Sequence, residues 1–304
     1  MRTPFIFCRY SAQIDDEELT RSGLLEALSE IQGQYLPHGR KAEEEGRNDV
    51  VVMRPRKRKI AGEKIVTWAI GHKPGHRVVT SYDAESEMIE DRVRADDHIV
   101  RSDIIAIPRL CAMAVTDRQS AVYMGAKVAL SRTRSAFKFM AGGHFEFSFL
   151  APGDVTTMMQ VLDLEEYSYT VRRINPTPPG ALSAALDASM ETEGIGILRG
   201  VAKPMPGGDM EIEEGLIGQT AELAGGGYGV VGFKGTTEDG SLAQIRKPPF
   251  SLDKADNLRQ MEKEQPLRVF IEEEDADDIL AGVVTELVRF YGGDGSPGIS
   301  QEPT

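Results

Sequence analysis

Cysteine is nearly absent: the chain holds two in 304 residues, Cys8 and Cys111. Neither belongs to a C-x-x-C pair, which excludes thiolate zinc sites and thioredoxin-type chemistry. Their apolar neighbours (Phe5-Ile6-Phe7 before Cys8, Leu110 and Ala112-Met113 around Cys111) read as strands. The thiols therefore read as buried structural residues in a reducing cytoplasm. Long apolar runs are missing too. Nothing approaches the roughly 20 residues of a membrane helix, and Met1-Arg2-Thr3-Pro4-Phe5-Ile6-Phe7-Cys8 lacks the apolar core of a signal peptide. A P-loop and a G-x-S-x-G elbow are both lacking, which leaves nucleotide hydrolysis and hydrolase chemistry without textual support. Positive charge is in deficit overall: a net charge of −13 argues against a protein that coats nucleic acid wholesale.

What remains is ordinary globular composition, 40% hydrophobic and 27% charged, which excludes a disordered chain or a disulfide scaffold. This length accommodates one large or two modest domains. The negative excess falls in one half. Residues 1–150 hold 23 Lys/Arg against 21 Asp/Glu, a balance of +2, while residues 151–304 hold 12 against 27, a balance of −15.

The pattern along the chain predicts an α+β fold of mostly antiparallel sheets with flanking helices, in two lobes. A β-rich lobe carrying a basic strand spans residues 1–140. An acidic α+β lobe spans 141–291, and 292–304 form a mobile tail. In the first lobe, Phe5 to Tyr10 reads as a strand and Glu17 to Gln32 as an amphipathic helix, with Leu19, Leu24, Leu25, Leu28 and Ile31 at helical spacing. Asp15, Asp16, Glu17 and Glu18 sit where a helix dipole favours them. Short strands with turns fill 49–117, and a helix near 120–139 includes Ala121, Met124, Val128 and Leu130. The second lobe reads as the strand 145–149, a helix from Asp154, the strand Tyr167–Val171, the helix Ala181–Met190 and an extended 194–201. A further helix through Ile217 and Leu223 leads to a hairpin around Glu238-Asp239-Gly240. The strand Leu267–Ile271 and an acid-capped helix, Asp275 to Tyr291, complete the lobe.

Several motifs fail on context. Gly227-Tyr228-Gly229-Val230-Val231-Gly232 matches G-x-G-x-x-G literally, but a helix precedes it and a hairpin follows, the reverse of a dinucleotide site. His72 and His76 flank Lys73-Pro74-Gly75, which forbids the helix a metal pair would need. Asp96, Asp97 and Asp103 around His98 offer carboxylates for a metal-dependent nuclease, without the Asp…Glu-x-Lys pattern that would position the chemistry. The run 272–278 reads as a solvated helix start. No catalytic residue, metal or cofactor is expected.

The sharpest chemical feature is Met53-Arg54-Pro55-Arg56-Lys57-Arg58-Lys59-Ile60, in which five of eight residues are cationic. In a strand, Arg54, Arg56 and Arg58 share one face and Lys57 and Lys59 the other. Guanidinium groups at alternate positions suit the phosphates of a nucleic-acid backbone. Lys64, Arg40 and Lys41 widen the patch. Lys127, Arg132, Arg134 and Lys138 form a second group, in which Lys127, Arg134 and Lys138 share a helix face. Three plainer readings compete: an edge strand guarded by cations and Pro55, a dock for the acidic half of another copy, or a solvated loop. No RNP-type aromatic platform or helix-turn-helix signature occurs, so binding would be directed to the backbone, with little base readout.

From about residue 98 onward the layout resembles prokaryotic phage-exclusion and defence proteins of the RexA and Kiwa KwaB type. The likeness rests on the sheet ending at Met113-Ala114-Val115, the strand Phe145–Phe149, and Tyr167-Ser168-Tyr169-Thr170-Val171 leading to Asn175-Pro176 and the helix 181–190. The Gly227-Tyr228-Gly229 strand with Lys234-Gly235 and the Asp239-Gly240 turn extends it. The resemblance implies a non-catalytic homodimer that contacts DNA with little sequence preference and works beside a separate effector protein. The acidity departs from a plain DNA binder and favours a local basic groove. The expectation is therefore a cytoplasmic antiphage sensor or accessory protein, not inserted in membranes. An assembly protein joined through opposite charges is the alternative, and a metal-dependent nuclease a weaker one.

Overall fold

The computed structural model describes residues 2–38, 50–73, 76–83, 88–95, 99–118, 120, 122–149, 154–173, 181–225, 228–246 and 266–292. Arg40, Lys41, Asp96, Asp97, His98, Ala121, Asn175, Pro176, Gly227 and the tail beyond 292 lie outside these residues. The first elements are β1 (Thr3–Ile14), β2 (Glu17–Glu18), α1 (Arg21–Glu30), β3 (Tyr35–Leu36), β4 (Val50–Ile60) and β5 (Glu63–His72). Next come β6 (His76–Asp83), β7 (Met88–Ala95), β8 (Val100–Ile107), β9 (Ala112–Thr116), α2 (Ala126–Lys138) and β10 (Gly143–Ser148). The remainder comprises α3 (Asp154–Gln160), β11 (Asp163–Arg172), α4 (Ala181–Thr192), β12 (Ile197–Ala202), α5 (Gly215–Gly225), β13 (Gly229–Thr236), β14 (Leu242–Ile245), β15 (Leu267–Ile271) and α6 (Ala276–Tyr291). The fold is α+β, with antiparallel sheet and flanking helices. Among the described residues, no helix is long and apolar enough to cross a membrane.

The chain forms two compact units, one of Met1–Tyr10, Arg109–Ala114 and Phe147–Thr304, the other of Ser11–Pro108 and Val115–Glu146. In the first, the strands run in the order β12-β11-β13-β14-β15-β1. Tyr167 lies opposite Phe233, Phe233 opposite Ile245, and Val269 opposite both Ala243 and Phe5, so these buried side chains share one sheet face. Helices seal that face. The Tyr167 hydroxyl meets the Thr220 hydroxyl of α5 at 2.8 Å, and Phe290 of α6 meets Phe7 edge-on with centroids 6.1 Å apart. Asp275 caps α6 by accepting from the Asp277 N–H at 2.8 Å, with Asp277 and Asp278 in the first turn and Arg289 in the last. Asp275→Ala removes that acceptor and is expected to cost about 1 kcal/mol in a urea titration.

The β13–β14 turn is tied to α6. Thr237 donates to Glu286 at 2.9 Å, Arg289 donates to Glu286 at 2.8 Å, and Arg289 also pairs with Asp239. Burial pushes the Glu286 carboxyl above its ordinary 4.5, against the opposing pull of the Thr237 hydrogen bond and the Arg289 charge. The folded chain thus holds this proton to higher pH than the unfolded chain does. That contribution to stability falls as pH rises from about 4.5 and levels off above the folded value. Glu286→Gln should flatten this part of a melting-temperature profile against pH. A profile unchanged by the substitution would contradict the assignment.

The second unit orders its strands β8-β5-β4-β3. Its β4–β5 hairpin closes through Ala61 and Gly62, both at positive φ (48° and 83°), the two-residue turn whose twist suits paired strands. Val52, Val66, Trp68, Ile70, Ile104 and Ala106 make the fully buried face. The helices α1 (through Leu24, Ala27 and Leu28) and α2 pack on the sheet.

Three expectations change here. Asp15 and Asp16 do not open a helix: they form a tight turn at φ 52° and 65° between β1 and β2, a conformation aspartate tolerates. The helix starts only at Arg21, capped by the Thr20 side chain on the Gly23 N–H, and its first turn holds no acidic residue. Likewise Cys8 is buried but Cys111 is not a strand residue. It sits half-buried at φ 49° in the turn between a 3-10 helix (Pro108–Leu110) and β9. The helix expected from 120 begins at 126, because Val122 and Met124 return to the Arg101 backbone, and Val128 is exposed.

Candidate nucleic-acid interface

The cationic run forms the second half of β4. Val50, Val51 and Val52 are buried, β-branched and anchored in the sheet, and the strand then emerges into solvent. Among the described residues, strand pairing on the outer side is confined to its start: Tyr35 opposes Val51, Leu36 opposes Val50, and Gly33 donates to the Val52 carbonyl at 2.9 Å. Farther along that side, Arg21 at the start of α1 donates to the Arg58 carbonyl at 3.1 Å.

The register with β5 shifts by one residue between Met53 and Arg56. Met53 opposes Ala69 and Arg56 opposes Thr67, so the extra residue is taken up at Arg54-Pro55, with Arg54 at φ 49°. Such a bulge re-aims every side chain beyond it. Arg56 and Arg58 come onto the face of Val51 and Met53, while Lys57 and Lys59 lie on the face of Val66 and Lys64. The expected row of Arg54, Arg56 and Arg58 is therefore corrected. Arg56 and Arg58 stay together, Lys57 and Lys59 stay opposite them, and Arg54 leaves the row at the bulge. Pro55, which has no N–H to give a ladder, sits where the pairing is interrupted.

Arg54, Arg56, Lys57, Lys59 and Lys64 are exposed, and Arg58 is half-buried. Among the described residues, no ion pair engages Arg54, Arg56, Lys57, Lys59 or Lys64. Lys59 lies directly opposite Lys64, so two ammonium groups adjoin on one face. Like charges opposite one another are unfavourable in a sheet. A polyanion would relieve that repulsion.

On α2 the buried stripe is Ala126, Ala129, Leu130, Thr133, Ala136 and Phe137. Helical spacing puts Lys127, Arg134 and Lys138 along one flank of that stripe. Lys127 and Lys138 are exposed and Arg134 half-buried. Arg132 falls on the other flank, where it reaches Met124 Sδ at 3.6 Å. The α2 start is held from outside by Asp117, whose carboxylate accepts from the Ala126 N–H at 3.1 Å. Arg21, beside Arg58, is a further cation near the run. An isolated arginine in a helix gives no sequence signal of that proximity.

The other candidates separate. Asp103 is half-buried on β8 opposite Ala69, and its backbone carbonyl accepts from Thr116. His72 ends β5 and His76 begins β6. Among the described residues, no three His, Cys, Asp or Glu side chains converge to hold a metal ion. Gly229 and Gly232 lie inside β13, with α5 before it and the β13–β14 hairpin after. A cavity of about 660 Å³ in the first unit is lined by Gln160, Asp163, Thr236, Thr237, Glu238 and Arg289, among others. Two carboxylates in its wall, and an arginine already held by Glu286 and Asp239, make it a poor seat for phosphate. No protein-family model matches the chain, and no characterised protein matches its sequence.

Proposed function

We propose that this protein is a non-catalytic nucleic-acid-binding component, a sensor or accessory factor of prokaryotic antiphage defence. It contacts duplex phosphates through Arg54, Arg56, Lys57, Arg58, Lys59 and Lys64, with Lys127, Arg134 and Lys138 as a secondary group. The observation that carries this reading is the exposed set Arg54, Arg56, Lys57, Lys59 and Lys64 on β4 and β5, for which no carboxylate partner occurs among the described residues. In an acidic chain, exposed cations are ordinarily neutralised by neighbouring carboxylates. Here the protein leaves them available. The link to defence rests on the resemblance to the RexA and KwaB type. It carries with it the expectation of a homodimer in the cytoplasm working beside an effector.

Because the contacts are electrostatic, affinity falls steeply as salt rises, in proportion to the number of phosphates neutralised. Fluorescence anisotropy of a labelled duplex across a salt series tests this directly. A linear dependence of log affinity on log salt supports the reading, and absence of binding at low salt refutes it. If the protein instead forms assemblies at low salt that dissociate as salt rises, with no nucleic acid present, β4 docks an acidic protein surface.

A further inference from the structure

The β4–β5 hairpin carries its cations on both faces. Beyond the bulge, Arg56 and Arg58 hold one face, and Lys57, Lys59 and Lys64 hold the other. The outer edge of β4 adds Arg21, whose guanidinium donates to the Arg58 carbonyl at 3.1 Å. Glu63, opposite Ile60 on the Arg58 face, is the one acidic residue in the whole stretch from Met53 to Trp68.

Strand pairing leaves this end of the hairpin narrow. β8 accompanies β5 from Val66 to His72, and β3 accompanies β4 at Val50 and Val51. Among the described residues, Arg58–Ile60 and Glu63–Ile65 therefore make a two-stranded ribbon. Its turn is Ala61-Gly62, both exposed, and no atom lies within 4 Å of where a Cβ on Gly62 would stand. The two smallest residues thus form its leading end.

A ribbon lying flat on one nucleic-acid backbone uses one of its faces. Cations on both faces meet phosphates together only when the ribbon stands between two backbones, which is the geometry of a groove. Width then selects the groove. A sheet with side chains on both faces is about 10 Å thick. The major groove of B-form DNA, about 12 Å wide, admits such a ribbon, and the minor groove, about 6 Å wide, does not.

We propose that the β4–β5 hairpin enters the major groove of B-form DNA turn first, with Arg56 and Arg58 facing the phosphates of one strand and Lys57, Lys59 and Lys64 those of the other. This deepens the phosphate-binding reading above by naming DNA and its major groove, and it rests on that reading. Arg56 to Ile60 spans about 13 Å at the strand rise, against a groove about 8.5 Å deep. The turn therefore reaches the floor while Arg56, Lys57 and Arg58 stand near the rim, where the phosphates lie. Ala61 and Gly62 bring no side-chain donor or acceptor to the base edges, so the turn adds little sequence preference. Double-stranded RNA has a deep, narrow major groove and a wide, shallow minor one. On RNA the same ribbon would reach a single backbone.

Fluorescence anisotropy at matched salt tests the proposal with three probes: a DNA duplex, an RNA duplex of the same sequence, and the DNA duplex with glucosylated 5-hydroxymethylcytosines, whose sugars fill the major groove. The RNA and the glucosylated DNA should each bind roughly tenfold or more weaker than plain DNA. Lys57→Glu with Lys59→Glu should lower affinity for plain DNA by roughly tenfold or more and reduce the salt slope by about 2, as reversal of the arginine face does. Both lysines are exposed, and the probe comparison needs no substitution. Equal affinity for plain and glucosylated DNA, equal affinity for RNA, or a lysine-face variant with unchanged slope overturns groove entry and leaves the phosphate reading standing. A wild type that binds no duplex at low salt overturns both.

Discussion

Replacing Arg56 and Arg58 by glutamate lowers duplex affinity by roughly a hundredfold or more and reduces the salt slope by about 2. Both side chains occupy the same sheet face beyond the bulge, and each stands opposite an uncharged residue, Thr67 or Ile65. Each is expected to make a charge-assisted contact with phosphate. Charge-assisted hydrogen bonds contribute about 1.5–3 kcal/mol apiece, and reversal adds repulsion. Because neither side chain is in the core, the melting temperature should move little. The comparison that separates an interface from general electrostatics is Lys203→Glu with Lys234→Glu. Those lysines already pair with Glu166 and Glu165 on the other unit, so duplex affinity should change only slightly. Equal losses from the two double variants would reduce the β4 run to one part of a diffuse field.

The second large effect falls on stability. Phe137→Ala is expected to cost about 3–5 kcal/mol, because the phenyl ring is fully buried on α2 and would leave a cavity. It also loses its ring contact with Phe145, at 5.0 Å between centroids. α2 carries Lys127, Arg134 and Lys138, so the substitution tests how far the secondary cations depend on packing. Denaturant unfolding should show the loss directly. In duplex binding, Phe137→Ala should reduce the active fraction while leaving the salt slope of the folded molecules unchanged. Charge reversal at Arg56 and Arg58 has the converse signature, a changed slope with stability retained.

The parts of the fold legible in the sequence are those where several local signals agree. For α6, the cap at Asp275, acids in the first turn, an arginine in the last and a strong apolar stripe all point to one segment, and it runs from Ala276 to Tyr291. β15 matches Leu267–Ile271, and the β13–β14 hairpin turns at Glu238-Asp239-Gly240, with Gly240 at φ 82°. Where one signal serves two structures, the reading slips. Acidic residues suit a helix start, but Asp also tolerates left-handed backbone, and Asp15-Asp16 use the second property. Cys111 has apolar neighbours on both sides, yet the turn it occupies depends on the chain's return into β9.

At the candidate site, composition showed the cations but not their arrangement. Alternation alone places Arg54, Arg56 and Arg58 in one row, since a period of two contains no sign of an inserted residue. Pro55 was the one local indication that ladder pairing fails there. Exposure and freedom from ion pairs depend on what lies across the hairpin and beside α1, which no local pattern encodes. The half-burial of Arg58 and the nearness of Arg21 arise in the same way.

Lysine acetylation followed by mass spectrometry, with and without saturating duplex DNA, reads the ammonium groups themselves. Bound duplex should slow modification of Lys57, Lys59 and Lys64 strongly and of Lys127 and Lys138 less, leaving Lys203 and Lys234 unchanged. Full reactivity of Lys57, Lys59 and Lys64 in the presence of bound duplex would show that the nucleic acid sits elsewhere on the protein, and would contradict the role assigned to this hairpin.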